Sequence, residues 1–260
     1  DKFSFSPAVI DGVIAVGAVD EEGLPAKFTN YGMRLDAEAP GVKILMATTH
    51  EGGKMSDPSG YVYDSGTSFA SPIVAANITQ IFTLHPSVTP QQLKYRLFGG
   101  VTLSGALEGY VRSGGYINFG KTIVFDGVKP FWVSDLRLLC VYHLFACVNW
   151  TTPHDRINDG REGSIVAFNL YFSKHLFAEI NEAGVQKTEI FVHGVAGKEV
   201  KREFFRELAA DTEFFVAVEA VDMAGNTSPP SRVVSFKTKQ AEVFLAHTFE
   251  EGAEGYKVKS

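Results

Sequence analysis

The stretch YDSGTSFASPIVAANITQIF, Tyr63 to Phe82, sets a run of small polar residues directly against a long apolar helical pattern. The apolar spacing predicts a helix over Ser71 to Leu84 and leaves one hydroxyl, Ser68, at the joint. A serine at a helix start has a commonplace explanation, because side-chain oxygens cap the exposed backbone N–H groups there. Its neighbours point further. Gly66, two residues earlier, lets the backbone approach a ligand closely, and a hydroxyl at a helix N-terminus sits in positive potential that stabilises developing negative charge. That is where an acyl-transfer nucleophile belongs. The pattern is not the nucleophile elbow of an α/β-hydrolase, which needs glycine where Ala70 stands.

On either side of this stretch the first half of the chain mixes apolar strand-like runs with helices. VIAVGAV, Val13 to Val19, reads as a buried strand. His85-Pro86 ends the helix, and Thr89-Pro90-Gln91-Gln92 opens the next with an N-cap threonine, proline at the first helical position and a glutamine completing a capping box. Leu93 to Phe98 form that short helix, stopped by Gly99-Gly100. This is an α/β texture. After Gly127 and Pro130 it gives way to short runs rich in Val, Phe, Tyr and Thr between turn residues. The clearest strands are Leu144 to Pro153, Ile165 to Ser173, Glu213 to Asp222 and Ser231 to Thr238. Ala146, Val148 and Trp150 alternate onto one face; Phe214, Val216, Val218 and Ala220 oppose Phe215, Ala217, Glu219 and Val221 on the third strand. The expected organisation is an α/β part over residues 1–127, an all-β sandwich over 128–240, and a linker or the start of a further β-domain over 241–260.

Composition narrows the function classes. At 260 residues, with 45% hydrophobic and 21% charged residues, the chain has enough apolar material for one large or two ordinary packed domains. A formal charge of -6 with no basic run argues against a nucleic-acid or anionic-membrane partner. No apolar run is long enough to span a bilayer, and the opening DKFSFSPAV does not read as a signal peptide.

The serine stretch resembles the serine motif of the subtilisin-like serine peptidases. VIAVGAVD (Val13 to Asp20), FTNYG (Phe28 to Gly32), LDAEAPG (Leu35 to Gly41), GTSFASP, the helix after it, HPSVTPQQLKYRL and GGYINFGKTI (Gly114 to Ile123) fall in the order that family shows. The resemblance implies the C-terminal portion of a subtilisin-like catalytic domain, a parallel sheet with helices, and hydrolysis of protein or peptide substrates through an acyl-enzyme. It makes Ser68 the catalytic serine, with its own N–H and Thr67 at the oxyanion site. Gly66, Pro7 and Ala8 fall with the substrate-binding segments, and Phe5 and Ser6 near the pocket floor. In that family the aspartate and histidine of the triad lie far upstream of the serine. Here only 67 residues precede Ser68, and neither His50 nor His85 stands in a fitting context. Asp64-Ser65-Gly66 runs straight into the serine motif, and Asn30 comes too late in the order for the oxyanion asparagine. The missing triad members and the rest of the sheet are therefore expected in an N-terminal part of the same domain. The alternative is a degenerate peptidase or binding module that keeps the serine motif alone.

The all-β part resembles a fibronectin type III domain through Asp135-Leu136, Val148-Asn149-Trp150-Thr151-Thr152-Pro153, Tyr171-Phe172-Ser173 and FFVAVEAVDMAGNTSPPS (Phe214 to Ser231). Trp150 reads as the plug between two sheets. Phe214 or Phe215 stands where the family has its corner tyrosine, and the helical-looking stretch Leu176 to Gly184 reads as an insertion or a long loop between strands.

Among glycosylation patterns at Asn77, Asn149 and Asn226, only Asn226 avoids an expected core position. Cys140 and Cys147 either pair across a hairpin centred on His143-Leu144 or remain buried free thiols. Asp36, Asp57 and Asp64 lack the spacing of a calcium loop and read as solvated, so no cofactor is expected and any structural calcium is not identifiable from spacing. The resemblance implies a secreted or cell-envelope protein.

Overall fold

The computed structural model describes residues 7–8, 10, 12–194, 196–204 and 208–240; the tail 241–260 and its expected linker lie outside them. In the first part run β1 (Val16–Val19), β2 (Ala37–Pro40), β3 (Ile44–Ala47), β4 (Tyr61–Asp64), α1 (Thr67–Leu84), α2 (Pro90–Gly99), β5 (Val101–Leu103), β6 (Gly115–Ile117) and α3 (Phe119–Thr122). One mixed sheet has the order β1-β2-β6-β5, parallel from β1 through β6 with β5 antiparallel at the edge. β3 and β4 make a separate antiparallel ribbon.

α1 begins at Thr67, four residues before the apolar spacing suggests, and carries Pro72 inside. Proline has no N–H, so the helical bond that would end on the Ser68 carbonyl is missing, and periodicity alone misses that first turn. Ala70, Val74, Asn77 and Ile81 are buried, a single stripe laid on β1 and β2 beside Ala18, Ala39 and Leu97. The rest of the helix is more open than expected: Phe82 and Leu84 are exposed. In α2 the capping box forms as read: the Gln92 N–H donates to Thr89 Oγ1 at 3.2 Å, and the Thr89 N–H donates to Gln92 Oε1 at 3.0 Å.

The second part contains β7 (Arg137–Val141), β8 (Ala146–Thr151), β9 (Ile165–Ser173), β10 (Gln186–Gly194), β11 (Glu199–Phe204), β12 (Glu213–Asp222) and β13 (Val234–Lys237). They form two antiparallel sheets, β11-β8-β7 and β10-β9-β12-β13. Trp150 is fully buried between them, edge-on to Phe168 with ring centroids 5.1 Å apart, among Val148, Leu170, Val218 and Phe236. Its aromatic neighbour on β12 is Phe214; Phe215 faces the opposite side with Tyr171 and Phe177. The stretch 176–184 forms turns and bends rather than a helix, because the Glu182 carboxylate accepts the N–H groups of Ala178 and Glu179 and Phe177 is anchored in the β9/β12 surface. Cys140 and Cys147 sit opposite each other on β7 and β8 and form a disulfide.

The two parts meet along α2. Tyr95 and Phe98 pack with Val166, Ala167, Val221 and Met223. Gln91 Nε2 donates to the Glu189 carboxylate at 2.7 Å, and the Tyr95 hydroxyl donates to the same group. Asn226 is also spent at this junction, its side-chain amide donating to Asp222 Oδ2 and the Val128 carbonyl, so it is not the free glycosylation acceptor the sequence suggests.

Ala70 is fully buried, and Gly41 approaches it so closely that a Cβ on Gly41 would lie 3.4 Å from the Ala70 Cβ. Ala70→Glu should therefore lower stability by about 3–5 kcal/mol or prevent folding; a variant that melts with the parent in a thermal scan would place this face of α1 in solvent.

Glu38, in the middle of β2, is also fully buried, neither carboxylate oxygen is hydrogen-bonded, and a Cβ on Gly17 would lie 2.5 Å from both. Burial pushes its carboxyl up to about 7 from an ordinary 4.5. Between those values the folded chain holds a proton that the unfolded chain has released, so this group's contribution to stability falls as pH rises from 4.5 through 7. The loss is on the order of 3 kcal/mol. Glu38→Gln should raise the melting temperature at pH 8 and flatten its decline between pH 5 and 8. An unchanged slope would exonerate Glu38.

Candidate active site around Ser68

Ser68 lies at the second position of α1, after Gly66 as N-cap and Thr67 as first residue. That placement removes the commonplace explanation: the cap is a glycine, and the Ser68 hydroxyl makes no hydrogen bond among the described residues. Ser68 is exposed and Thr67 half-buried. A Cβ on Gly66 would come within 3.0 Å of Ser68 Oγ, so glycine leaves the space above the hydroxyl open.

The turn before the helix is tied down by backbone. The Gly66 N–H donates to the Gly41 carbonyl at 2.8 Å, and the Gly41 N–H donates to the Val19 carbonyl at 3.0 Å. Ser65 Oγ accepts the Lys43 N–H at 2.9 Å, while Asp64 Oδ1 accepts the Ser65 N–H at 2.7 Å. Asp64 therefore shapes the turn. These bonds hold Ser68 just beyond the carboxyl ends of β1 and β2, in the place where open parallel sheets bind ligands.

A serine hydroxyl needs a base to become a useful nucleophile. Among the described residues no histidine bonds to Ser68. His50 Nδ1 lies 3.0 Å from the Pro58 carbonyl and His85 Nε2 lies 3.1 Å from the Ile123 carbonyl, so each ring is engaged elsewhere. His154 pairs with Glu162 in the second part.

Of the expected substrate-binding residues, Gly66 adjoins Ser68. Pro7 and Ala8 are exposed, and Ala8 lines a small cavity with Ile10, Arg34, Asp36 and Arg112 to which Gly66, Thr67 and Ser68 do not contribute. Ser6 and Phe5 lie outside the described residues. Asp36 is not solvated as expected: it is buried, accepts the Ala15 N–H at 2.9 Å and faces Arg112 at 3.5 Å. Asp57 and Asp64 do not join it. Among the described residues three other aspartates converge, Asp126, Asp155 and Asp222, all buried at the junction. Sequence reading missed them because they come from three distant segments with no ligand spacing. The only hint was the placing of Asp126 and Asp222 beside Gly-containing turns.

The profile of the subtilase family (Peptidase_S8) matches residues 4–105. The thermostable alkaline protease of Halalkalibacterium halodurans is 35% identical over 115 residues, 44% of this chain and 29% of that protein. The thermophilic serine proteinase of Bacillus sp. strain AK1 is 49% identical over 72 residues, 28% of this chain and 16% of that protein. The chain thus spans less than a third of the length of either relative. Among solved structures, the chicken CNTN1 FN1–FN3 domains cover 43% of this chain and 33% of that one at 20% identity and a TM-score of 0.30, a likeness too slight to assign a fold. Among the described residues no helix is long and apolar enough to cross a membrane. With GTSFASP inside the matched residues and its serine exposed at the start of α1, the first part of this chain is subtilisin-like.

Proposed function

We propose that Ser68 is the acylating nucleophile of a subtilisin-type serine endopeptidase, and that these 260 residues carry the C-terminal portion of its catalytic domain. The carrying observation is an exposed hydroxyl, without a hydrogen bond, in the first turn of a helix that opens at the carboxyl ends of two parallel strands. Ser68 Oγ attacks the scissile carbonyl, and charge builds on its oxygen. The Ser68 N–H and the helix start stabilise that oxyanion, with the Thr67 hydroxyl beside them. The amine leaves with the proton taken from the serine, and water hydrolyses the ester to release the second product and restore Ser68. The base that carries the proton belongs, in this reading, to a segment beyond these residues, since no histidine among the described residues bonds to Ser68 and the rings of His50 and His85 are engaged elsewhere.

Residues 128–240 form, on this reading, a fibronectin type III-like module. Its support is the seven-strand arrangement in which the first, second and fifth strands share one sheet and the third, fourth, sixth and seventh share the other, around one tryptophan. The Cys140–Cys147 disulfide favours an oxidising compartment, in keeping with a secreted or cell-envelope enzyme.

The test is covalent labelling and proteolysis. The full-length protein should hydrolyse protein substrates, and Ser68→Ala should lower kcat by roughly 10³-fold or more. The 260-residue chain alone should react with a fluorophosphonate no faster than its Ser68→Ala variant. Rapid labelling of Ser68 in that chain would place a base among these residues, and a full-length protein without Ser68-dependent proteolysis would leave the non-catalytic reading in its place.

A further inference from the structure

Asp126 follows the end of the subtilisin-like part, Asp155 follows β8, and Asp222 ends β12, yet one oxygen of each lies within 4.8 Å of the others. All three are buried, with exposures of 6%, 1% and 0%. Two of them are built into their loops. Asp222 Oδ1 accepts the N–H groups of Ala224 and Asn226, each at 2.8 Å, and its Oδ2 accepts the Asn226 amide; Asp126 Oδ1 accepts the Val128 N–H at 3.0 Å. Asp155 is different. Both its oxygens, and Oδ2 of Asp126, are buried without a hydrogen bond of good geometry, the Ser164 N–H being the one backbone donor close to the Asp155 carboxylate. The carboxylate also occupies space that a side chain would fill, because a Cβ on Gly163 would lie 2.1 Å from Asp155 Oδ2.

The cation that acts on this group is Arg96, itself buried at 5% exposure. Its guanidinium donates to the carbonyls of Thr122 and Val124 and acts on Asp126 and Asp222 through space. With all three carboxylates ionised, one positive charge leaves two negative charges uncompensated in the interior, a state that buried ions tolerate only with a further partner.

We propose that Asp126, Asp155 and Asp222 form a structural calcium site that ties the end of the subtilisin-like part to the β-sandwich. The donors are all hard oxygens, which select calcium or magnesium over softer metals. Calcium binds oxygens at about 2.3–2.6 Å in a flexible geometry, whereas magnesium demands near-ideal octahedral geometry at about 2.0–2.1 Å and keeps several of its waters. Three carboxylates from three separate segments, two of them already fixed by hydrogen bonds in their loops, suit the more adaptable ion. Its charge balances the two left over beside Arg96, and its coordination uses the oxygens of Asp155 and Asp126 that lack a hydrogen bond of good geometry. The site joins segments that hydrogen bonds join only in part, so it acts on the relation between the two parts and leaves Ser68 untouched.

The test uses the 260-residue chain stripped with a chelator at pH 7.5 and titrated with calcium chloride alone. Calorimetry should show one site, and saturation at about 100 times Kd should raise the melting temperature by roughly 5–10 °C. Asp155→Asn, which preserves shape, should weaken calcium binding at least tenfold and abolish the calcium-dependent rise, while its melting temperature without calcium stays at or above that of the stripped parent. Absence of calcium heat and of any thermal shift at millimolar calcium in the parent would overturn the site, leaving protonated carboxyls to neutralise the cluster. Undiminished calcium binding by Asp155→Asn would place the ion elsewhere and overturn it equally, as would tighter binding of magnesium chloride than of calcium chloride.

Discussion

Two backbone hydrogen bonds carry the geometry on which the rest of the first part depends: Gly66 N–H to the Gly41 carbonyl, and Gly41 N–H to the Val19 carbonyl. They join the N-cap of α1 to the ends of β1 and β2 without side-chain help, and a net bond of this kind contributes only about 1 kcal/mol. Their importance is positional. The exit of β2 through Pro40-Gly41, the turn that ends at Gly66 and the first turn of α1 converge on one point, so Ser68 is set by main chain rather than by a flexible side chain. α1 is held from beneath by its buried stripe, and Ala70 is the first residue of that stripe, two after the serine. Packing and presentation therefore begin in the same first turn of one helix.

Glu38 runs against this economy. A strand packed on both faces should be continuously apolar, and β2 is so except for this carboxyl, which lies over Gly17 on the neighbouring strand. A residue that is stable there only when neutral makes the middle of the sheet sensitive to pH near neutrality, unlike the sandwich core around Trp150, whose clustered residues carry no carboxyl.

The β part was largely legible in the sequence because its strands are runs rich in β-branched and aromatic residues set off by turn residues: the expected bounds of Ile165 to Ser173 and Glu213 to Asp222 coincide with β9 and β12. Trp150 was legible because it alternates with Ala146 and Val148 onto one face. Phe214 and Phe215 each find apolar company on opposite faces of β12, Phe214 in the core around Trp150 and Phe215 with Tyr171 and Phe177 of the 176–184 side. That packing also explains the missing helix, because Phe177 and Glu182 serve tertiary and turn contacts that local propensity does not see. At α1 the difference was one turn, because the apolar spacing begins only at Ser71 whereas the backbone turns helical at Thr67. The serine itself was found through its motif, whereas the Asp126, Asp155 and Asp222 cluster carried no local signal, being assembled by the junction.

That junction changes how the two parts relate. The sandwich core needs nothing from residues before Val133, which is why a texture change near Asp126 to Pro130 looks like a simple boundary. Its outer surface does need them. Val166, Ala167, Val221 and Met223 are buried with Tyr95 and Phe98 of α2, and Glu189 takes two hydrogen bonds from the same helix. Cutting between the parts would expose this apolar patch and remove Arg96 from the three carboxylates, adding a charge imbalance to a hydrophobic loss. Both terms oppose separation, so the sandwich acts as a buttress for α2, and α2 in turn packs against the stripe of α1 through Leu93 and Leu97. The sandwich and the helix that presents Ser68 are thus joined, through α2, by a continuous line of buried side chains.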